Sequence, residues 1–268
     1  MEAPLSDRPP ALAGQVALVT GGTGIADAAL RALAAAGVRL VLVGRSMPAL
    51  SESAAALPID HADIRVLRAD VTRPAEVDAA VEQALAFGHG SIDILLNGAG
   101  IQGPHLLPFW EVPTEEFDRT LDSNVLGPFL LMRRVLPAMI ARRHGRIINI
   151  AGTFGLKGVR HRAHYSASKW GIRGLSRAAA LDAGMHNITV NTICPGYVRS
   201  ASADREFAEE SRLTGRTAAA LEMAAAQGMA LRRFVEPSDI AAAVLLLAGP
   251  DGANITGQDI VIDAGAVV

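Results

Sequence analysis

The 268-residue sequence predicts one α/β domain, built as a doubly wound parallel sheet of about seven strands with helices on both faces. Short apolar segments alternate with helical patterns, and such alternation produces right-handed strand–helix–strand units. The apolar segments are nearly continuous in apolar character, which is typical of strands covered on both faces. The length suits a single domain of the larger α/β kind with a sizeable core.

The individual elements follow from these patterns. Seven segments are predicted strands: QVALVT, RLVLVG, IRVLRA, IDILLN, RIINIA, ITVNTIC and DIVIDA. Four long segments between them have helical patterns: ADAALRALAAAG, PAEVDAAVEQALAFG, TEEFDRTLDSNVLGPFLLMRRVLPAMIARR and YSASKWGIRGLSRAAALDAG. Several of these end in Gly, a common helix stop signal. The order of elements predicts a single Rossmann-like domain.

Two regions do not fit the alternation. Residues 1–13 predict a flexible tail ahead of a domain that spans 14–268. Residues 200–228 are helical in pattern, polar in their first half, and follow the sixth predicted strand. Open α/β sheets bind ligands at the carboxyl ends of their strands, so this region predicts a substrate lid. A solvated surface insertion explains its composition equally well.

Composition argues against several classes of function. The net charge is −2 and no basic run exists, which argues against a nucleic-acid or anionic-membrane partner. The longest uninterrupted apolar run, IAAAVLLLAG, is shorter than the ~20 residues of a membrane span. The N-terminus lacks a secretory pattern and the chain has one cysteine, Cys194. We therefore predict a cytoplasmic protein that acts on a small molecule and has no metal site.

The first candidate site is the pair Tyr165 and Lys169 in the segment YSASK. The chain has only two lysines and two tyrosines, and one of each stands here at helical spacing. Lysine can shift its pKa and take part in proton transfer, which arginine cannot do in a protein. The pair therefore favours proton chemistry, although a chance surface pair has the same spacing.

The second candidate site is the turn after the first strand, in VALVTGGTGIADAAL. Glycines between a first strand and a helix allow backbone N–H groups to approach a pyrophosphate. Gly22 and Gly24 match the dinucleotide pattern G-x-G-x-x-G, whereas Asp27 stands where its third glycine is expected. The second strand ends in Gly44 and Arg45, with no acidic residue between Val38 and Ser51. This favours NADP(H) over NAD(H), because Arg can hold a 2′-phosphate with its fork of donors.

Together these segments resemble the short-chain dehydrogenase/reductase family. The signals are TGGTGI, ADV at 69–71, NGAG at 97–100, NVLG at 124–127, YSASK, CPGYV at 194–198 and ITGQ at 255–258. The resemblance covers about residues 14 to 265, and is greatest for polyketide ketoreductases and 3-oxoacyl carrier-protein reductases. It implies an NADP(H)-dependent reductase or dehydrogenase that interconverts a ketone and a secondary alcohol.

The resemblance also implies roles for individual residues. Tyr165 is the expected proton donor or acceptor, and Lys169 is expected to hold the nicotinamide ribose and to lower the pKa of Tyr165. Asn124 is expected to anchor a water that relays the proton. Cofactor contacts are implied for Tyr165, Lys169 and the following positions: Gly21, Thr23, Gly24, Ile25, Arg45, Ser46, Asp70, Val71, Asn97, Gly98, Ala99, Pro195, Gly196, Val198 and Ser200.

Three positions depart from the family pattern. The glycine turn is one residue shorter and has Ala26 in place of its last glycine, and Gly98 replaces an asparagine. The catalytic serine expected thirteen residues before Tyr165 is Gly152. Losing such a donor lowers a rate about 10²–10³-fold in other enzymes. Thr153 is the candidate substitute, although neighbouring side chains on a strand point to opposite faces. His161 and His164 are further candidates, each more typical of an ordinary loop histidine.

Three functions are therefore open at this stage. A ketone reductase explains the retained Tyr165, Lys169 and Asn124. A non-redox enzyme of the same fold, such as a dehydratase, isomerase or cyclase, explains Gly152 and the altered glycine turn. A scaffold with weak catalysis is the third. The resemblance also implies that Gln102, His105, Phe109, Trp110 and Tyr197 flank the substrate, although ordinary loop packing explains them equally well. It further implies a homodimer or homotetramer formed through the long helices.

Overall fold

The computed structural model describes residues 12–268. Residues 1–11, most of the predicted tail, lie outside the described residues. Leu12 is buried in the main core, and the backbone N–H of Gly14 donates to the carbonyl of Gly37. The packed part of the chain thus begins at Leu12, which the sequence assigns to the tail.

The sheet confirms the predicted fold class. Its seven strands are β1 (Val16–Thr20), β2 (Arg39–Gly44), β3 (Ile64–Arg68), β4 (Ile94–Asn97), β5 (Gly145–Ile150), β6 (Ile188–Pro195) and β7 (Asp259–Ile262). They are all parallel, in the order β3-β2-β1-β4-β5-β6-β7. The strand order reverses between β1 and β4, and such a switch point opens a crevice at the carboxyl edge of the sheet.

Helices cover both faces of the sheet. They are α1 (Ile25–Ala35), α2 (Met47–Ala55), α3 (Pro74–Phe87), α4 (Thr114–Leu121), α5 (Gly127–Arg142), α6 (Ala163–Ala183), α7 (Ala201–Thr214), α8 (Ala218–Gln227) and α9 (Pro237–Ala248). Strand β1 shows how the two cores form. Ala17 and Val19 pack on one face, towards α1 and α9, and Leu18 packs on the other, towards α3 and α5. Successive strand side chains alternate between faces, so a fully apolar strand supplies both cores.

The helix predicted for TEEFDRTLDSNVLGPFLLMRRVLPAMIARR is not regular throughout. A π-helical turn, Asp122–Leu126, separates α4 from α5. The segment Thr114–Arg142 is long and apolar enough to cross a membrane by length and composition, because its most apolar 18-residue window has a mean hydropathy of 1.2. Its Leu131 and Val135 are buried against the sheet, however, as expected of a core helix in a globular domain.

Residues 200–228 fold as helices α7 and α8 beyond the carboxyl end of β6. Helix α7 begins after Ser200, whose hydroxyl accepts a hydrogen bond from the N–H of Ala203 at 3.3 Å. Phe207 of α7 stacks on Tyr197 with ring centroids 5.6 Å apart, and Phe234 lies at the same distance from Tyr197. This separate apolar cluster holds α7 over the crevice.

Candidate active site

Two adjoining cavities open at the carboxyl edge of the sheet. The first, about 570 Å³, lies over the ends of β1, β2 and β3, and the second, about 350 Å³, lies beside β5, β6 and α7. Both cavities are lined by Thr23, Gly98, Gly100 and Ile101. The result is one cleft across the switch point, where doubly wound sheets bind extended ligands such as dinucleotides.

The glycine turn crosses the middle of this cleft. Gly21 and Gly24 have φ angles of +89° and +59°, a region that residues with a side chain rarely adopt, and α1 begins immediately after them. Asp27, in the first turn of α1, does not face the cleft. Its carboxylate accepts a hydrogen bond from the Ser53 hydroxyl at 2.9 Å and pairs with Arg31 at 2.9 Å. The altered turn therefore still presents a helix N-terminus to an anion.

Two of the three departures from the family pattern are in contact. A Cβ added to Gly98 would lie 3.2 Å from the Cβ of Ala26 and 2.9 Å from the carbonyl oxygen of Thr20. Ala26 is buried at that point. The methyl group of Ala26 thus borders the space that Gly98 leaves open, and the Thr20 carbonyl oxygen borders it more closely.

This contact predicts a coupled effect on stability. We expect Gly98→Ala to lower the free energy of unfolding by about 1–3 kcal/mol, because overpacking forces the backbone to shift. In an Ala26→Gly background the same change should cost at least about 0.5 kcal/mol less. Urea unfolding of the four variants measures this coupling. Additive losses within error would show that the two residues act independently.

The first cavity contains the residues predicted for the adenosine end. Arg45 and Ser46 follow β2, and Asp70 and Val71 follow β3. Burial opposes the charge of Asp70, but hydrogen bonds from Thr72 and the nearby charge of Arg45 outweigh it, so the pKa of Asp70 lies below its usual value. Arg45 itself is exposed at the rim of the cavity.

Asn97, a predicted cofactor contact, does not line either cavity. Its side chain is buried and donates to the Oδ1 of Asn149 at 2.7 Å, and Asn149 donates to the Ser176 hydroxyl at 2.8 Å. This polar chain links β4, β5 and α6 inside the core. The next two residues, Gly98 and Ala99, do line the cleft, because the chain leaves the strand after Asn97.

The second cavity contains Tyr165 and Lys169, one helical turn apart on α6. The Lys169 ammonium donates to the carbonyl oxygen of Ile150 at 3.0 Å and lies 5.3 Å from the centroid of the Tyr165 ring. Burial lowers the pKa of Lys169 to about 8, against a smaller opposing effect of Cys194. This lysine can therefore exchange its proton near neutral pH. The same cavity is lined by five of the predicted cofactor contacts: Ile25, Pro195, Gly196, Val198 and Ser200.

The pKa of Tyr165 corrects one expectation from the sequence. Burial raises this pKa, and the carboxylate of Glu206 raises it further, whereas the cation that lowers it is Arg162. Lys169 was expected to act in this way, but it is not among the groups that shift the pKa of Tyr165. In this structure Tyr165 is thus a protonated phenol, ready to donate.

Asn124 lies in the π-helical turn between α4 and α5, and its amide is engaged at both ends. Its Oδ1 accepts from the N–H of Ile101 at 2.9 Å, and its Nδ2 donates to the Ile101 carbonyl at 2.8 Å and to the Ser168 hydroxyl at 3.0 Å. Neither cavity is lined by Asn124 itself. Asn124 therefore fixes Ile101, a wall of both cavities, and its role in a water relay stays a prediction.

Gly152 lines the second cavity without a side chain. It has φ +147°, and an added Cβ would meet only the carbonyl oxygen of Pro195, at 3.6 Å. Thr153, the candidate substitute for the serine, is buried in the following 3₁₀ turn and does not line the cavity. Phe154 does, and its ring contacts that of Tyr165 edge-on at 5.2 Å. The turn after β5 thus points an aromatic ring, not a hydroxyl, into the site.

The two histidines before Tyr165 also lie elsewhere. The ring of His164 is fully buried and its Nε2 lies 3.1 Å from the Gln102 carbonyl oxygen, while burial lowers its pKa. His161 lines a separate surface pocket with Phe109 and Trp110. Of the five residues expected to flank the substrate, Gln102 and Tyr197 line the second cavity.

Sequence reasoning missed a buried ion pair in the second cavity. Arg162 and Glu206 are 7% and 8% exposed, and an Nη2 hydrogen of Arg162 is donated to Oε1 of Glu206. His105 lies 3.9 Å from the same carboxylate oxygen. Two sequence features belong to this pair: an arginine three residues before Tyr165, and an acidic residue in the polar half of the predicted lid. The two residues are 44 positions apart, and no sequence pattern predicts a contact between them.

A doubly wound sheet, a glycine turn at its switch point and a Tyr–Lys pair in the same cleft define the class of dinucleotide-dependent oxidoreductases. A family model described as short chain dehydrogenase matches residues 15–211. The chain belongs to this family.

Relatives support the same conclusion. A 3-oxoacyl-acyl-carrier-protein reductase of Vibrio cholerae is 32% identical over 257 residues, which covers 95% of this chain and 98% of the relative. A solved variant of actinorhodin polyketide ketoreductase with NADPH has a TM-score of 0.88 and 32% identity, over 94% of this chain and 97% of its own. NAD⁺-bound xylitol dehydrogenase has a TM-score of 0.87 and 30% identity, over 94% and 98%. The resemblance to ketoreductases is thus confirmed, and the chain is an oxidoreductase of this family.

Proposed function

We propose that the protein is an NADP(H)-dependent reductase or dehydrogenase that interconverts a ketone and a secondary alcohol. The observation that carries this proposal is the position of Tyr165 and Lys169 in a cavity continuous with a cleft at the switch point. The glycine turn, with its positive φ angles and its free helix N-terminus, suits the pyrophosphate of a dinucleotide. The names of the ketoreductase relatives support a substrate of the acyl or polyketide type.

In this proposal each residue has a defined task. The nicotinamide, when bound, supplies the hydride that reaches the carbonyl carbon. The Tyr165 hydroxyl donates the proton that the carbonyl oxygen takes up, and accepts it in the reverse direction. Lys169 holds the ribose and, with a pKa of about 8, can return a proton to Tyr165. Asn124 positions Ile101 between the two cavities.

The preference for NADP(H) rests on Arg45. It is exposed at the end of β2, where a 2′-phosphate would lie, and the position before it is Gly44 in place of a carboxylate. The similarity to an NADPH-bound ketoreductase supports the same preference, whereas the similarity to an NAD⁺-bound dehydrogenase does not.

We expect Arg45→Ala to raise the Kd for NADPH about 10-fold, since a charge-assisted hydrogen bond to the phosphate is lost. The Kd for NADH should change less than about threefold, because NADH has no 2′-phosphate. Fluorescence titration measures both. Arg65→Ala, on the exposed face of β3, is the matched control and should leave both constants unchanged. If Arg45→Ala raises the Kd values for NADPH and NADH equally, Arg45 does not recognise the 2′-phosphate.

The experiment that tests the function has two parts. Titration of the purified protein with NADPH and NADH should give micromolar or tighter binding of NADPH. Incubation with NADPH and a β-keto ester such as ethyl acetoacetate should then oxidise the cofactor and form the alcohol. Binding without turnover across a ketone panel, together with conversion of another substrate at constant NADPH, would instead support a dehydratase, isomerase or cyclase.

Helices α7 and α8 act as the lid in this proposal. The ion pair between Glu206 of α7 and Arg162, beside α6, joins the lid to the catalytic helix across the cavity.

A homo-oligomer in the cytoplasm is also proposed. It is supported by apolar side chains exposed on α5 and α6, namely Phe129, Ile140, Trp170 and Leu181. Sedimentation equilibrium distinguishes a monomer from a dimer or tetramer.

A further inference from the structure

The second cavity lacks the serine hydroxyl that the family pattern places thirteen residues before the tyrosine. Tyr165 provides one hydroxyl. The position that holds a serine in the family pattern is Gly152, and the neighbouring Thr153 is turned into the protein. Catalysis by charge stabilisation needs donors aimed at the oxygen on which negative charge develops. A second donor in this cavity would take the place of that hydroxyl.

Arg162 has the position and the free hydrogen-bonding capacity for this task. It lies three residues before Tyr165, lines the same cavity and is 7% exposed. One terminal nitrogen, Nη2, donates to Glu206, while the other, Nη1, is buried and has no hydrogen-bond partner within residues 12–268. Its guanidinium carbon is 5.8 Å from the centroid of the Phe154 ring, and that ring contacts Tyr165. Buried polar groups are nearly always paired, so an unpaired guanidinium nitrogen beside a cavity indicates a ligand contact.

We propose that Arg162 is a catalytic residue that donates the second hydrogen bond to the substrate's carbonyl oxygen, in place of the hydroxyl absent at Gly152. This proposal rests on the proposed ketone reductase function. Glu206 is then a positioning residue, because its contact with Nη2 sets the direction of the guanidinium fork.

The chemistry of arginine suits this task and limits it. A guanidinium does not lose its proton in a protein, so Arg162 stabilises negative charge and Tyr165 supplies the proton. A charge-assisted hydrogen bond is about twice as strong as one between neutral groups. Arg162 also favours the phenolate form of Tyr165, the form that the tyrosine takes after proton donation. The carboxylate of Glu206 opposes this effect on Tyr165 more strongly, so the task of Arg162 is at the substrate's oxygen.

The first test separates a catalytic donor from an anchor for an anionic substrate. Ethyl acetoacetate and acetoacetate offer the same ketone with and without a negative charge. At saturating NADPH, we expect Arg162→Met to lower kcat for ethyl acetoacetate about 10²–10³-fold with a KM changed less than about threefold. Arg160→Met, exposed and two residues away, is the matched control and should keep the wild-type kcat. A loss confined to acetoacetate, or a raised KM at unchanged kcat, would overturn the proposal.

The second test excludes a purely structural effect. Removing Arg162 alone leaves Glu206 buried and unpaired, which by itself destabilises a protein. The double variant Arg162→Met/Glu206→Leu removes both charges, and should keep the thermal midpoint and the NADPH Kd while kcat stays low. Adding guanidinium ion at low millimolar concentration to Arg162→Ala should restore part of kcat. Wild-type kcat in the double variant, or a kcat loss matched by lost NADPH binding, would contradict the role of Arg162.

The wild-type protein distinguishes failure of this inference from failure of the proposed function. If the wild-type protein reduces ethyl acetoacetate and the Arg162→Met variant is equally active, only the role of Arg162 is overturned. Wild-type protein that binds NADPH but reduces no ketone overturns the reductase function itself, and with it this assignment of the donor.

Discussion

Replacing Tyr165 with Phe is expected to lower kcat about 10²–10⁴-fold, the range attributed to a positioned general acid. Tyr165 is the hydroxyl in the second cavity that lies beside Lys169, and burial together with Glu206 keeps it protonated before reaction. The change removes one oxygen and leaves the ring contact with Phe154 intact. Single-turnover oxidation of NADPH with ethyl acetoacetate measures the effect directly.

The control for this prediction is the same variant's cofactor binding. NADPH should bind Tyr165→Phe within about threefold of the wild-type Kd, because Lys169 and the glycine turn are unchanged. If the variant keeps the wild-type kcat, Tyr165 is not the acid or base of the reaction, whether that reaction is redox or non-redox. A variant that loses NADPH binding instead would assign the hydroxyl to the cofactor rather than to the substrate.

The largest effect on stability is expected from Arg173→Met. Arg173 of α6 is 8% exposed, and it donates two hydrogen bonds to Asp259 of β7, at 3.0 and 2.7 Å, and a third to the carbonyl of Gly155. Breaking a buried ion pair from one side destabilises by about 3–5 kcal/mol when the remaining charge is left uncompensated, and Asp259 keeps the exposed Arg177 as a partner, so we expect the lower end of this range. We expect urea unfolding to show a loss of this size.

Arg177→Met is a matched control on the same helix. Arg177 also pairs with Asp259, but its side chain is 53% exposed, and exposed pairs contribute about 0–1 kcal/mol. Equal losses for the two variants would show that burial does not decide the strength of this network. The Arg173 network also matters for the site, because it ties the turn after Gly152 to the helix that contains Tyr165 and Lys169.

The departures from the family pattern are explained by the residues that surround them in the structure. Ala26 and Gly98 each replace a family residue, and the Ala26 methyl borders the space that a side chain at position 98 would enter. Asp27, which could have repelled a pyrophosphate, is turned towards Ser53 and Arg31. Gly152 is the change that removes the catalytic hydroxyl of the family pattern from the cleft. Arg162 is the group that we propose in its place.

Much of this architecture can be predicted from the sequence. The seven strands and their parallel arrangement follow from apolar runs separated by helical patterns, because a strand buried on both faces must be apolar at every position. The glycine turn and the pair Tyr165–Lys169 are local features, set by spacing within one turn or one helix. Both lie in the cleft where that spacing, together with the switch-point rule, predicts them.

Other features were decided by tertiary structure. Asn97 and Thr153 are each one or two residues from positions that line the cleft, yet both side chains point into the protein, since a single residue of displacement reverses the direction of a side chain at a strand end. The π-helical turn around Asn124 is likewise invisible in a regular helical pattern. The pairing of Arg162 with Glu206 depends on how α7 folds back over α6. Sequence periodicity determined which segments become strands and helices, and long-range packing determined which polar groups meet in the site, because such contacts depend on the relative position of whole elements.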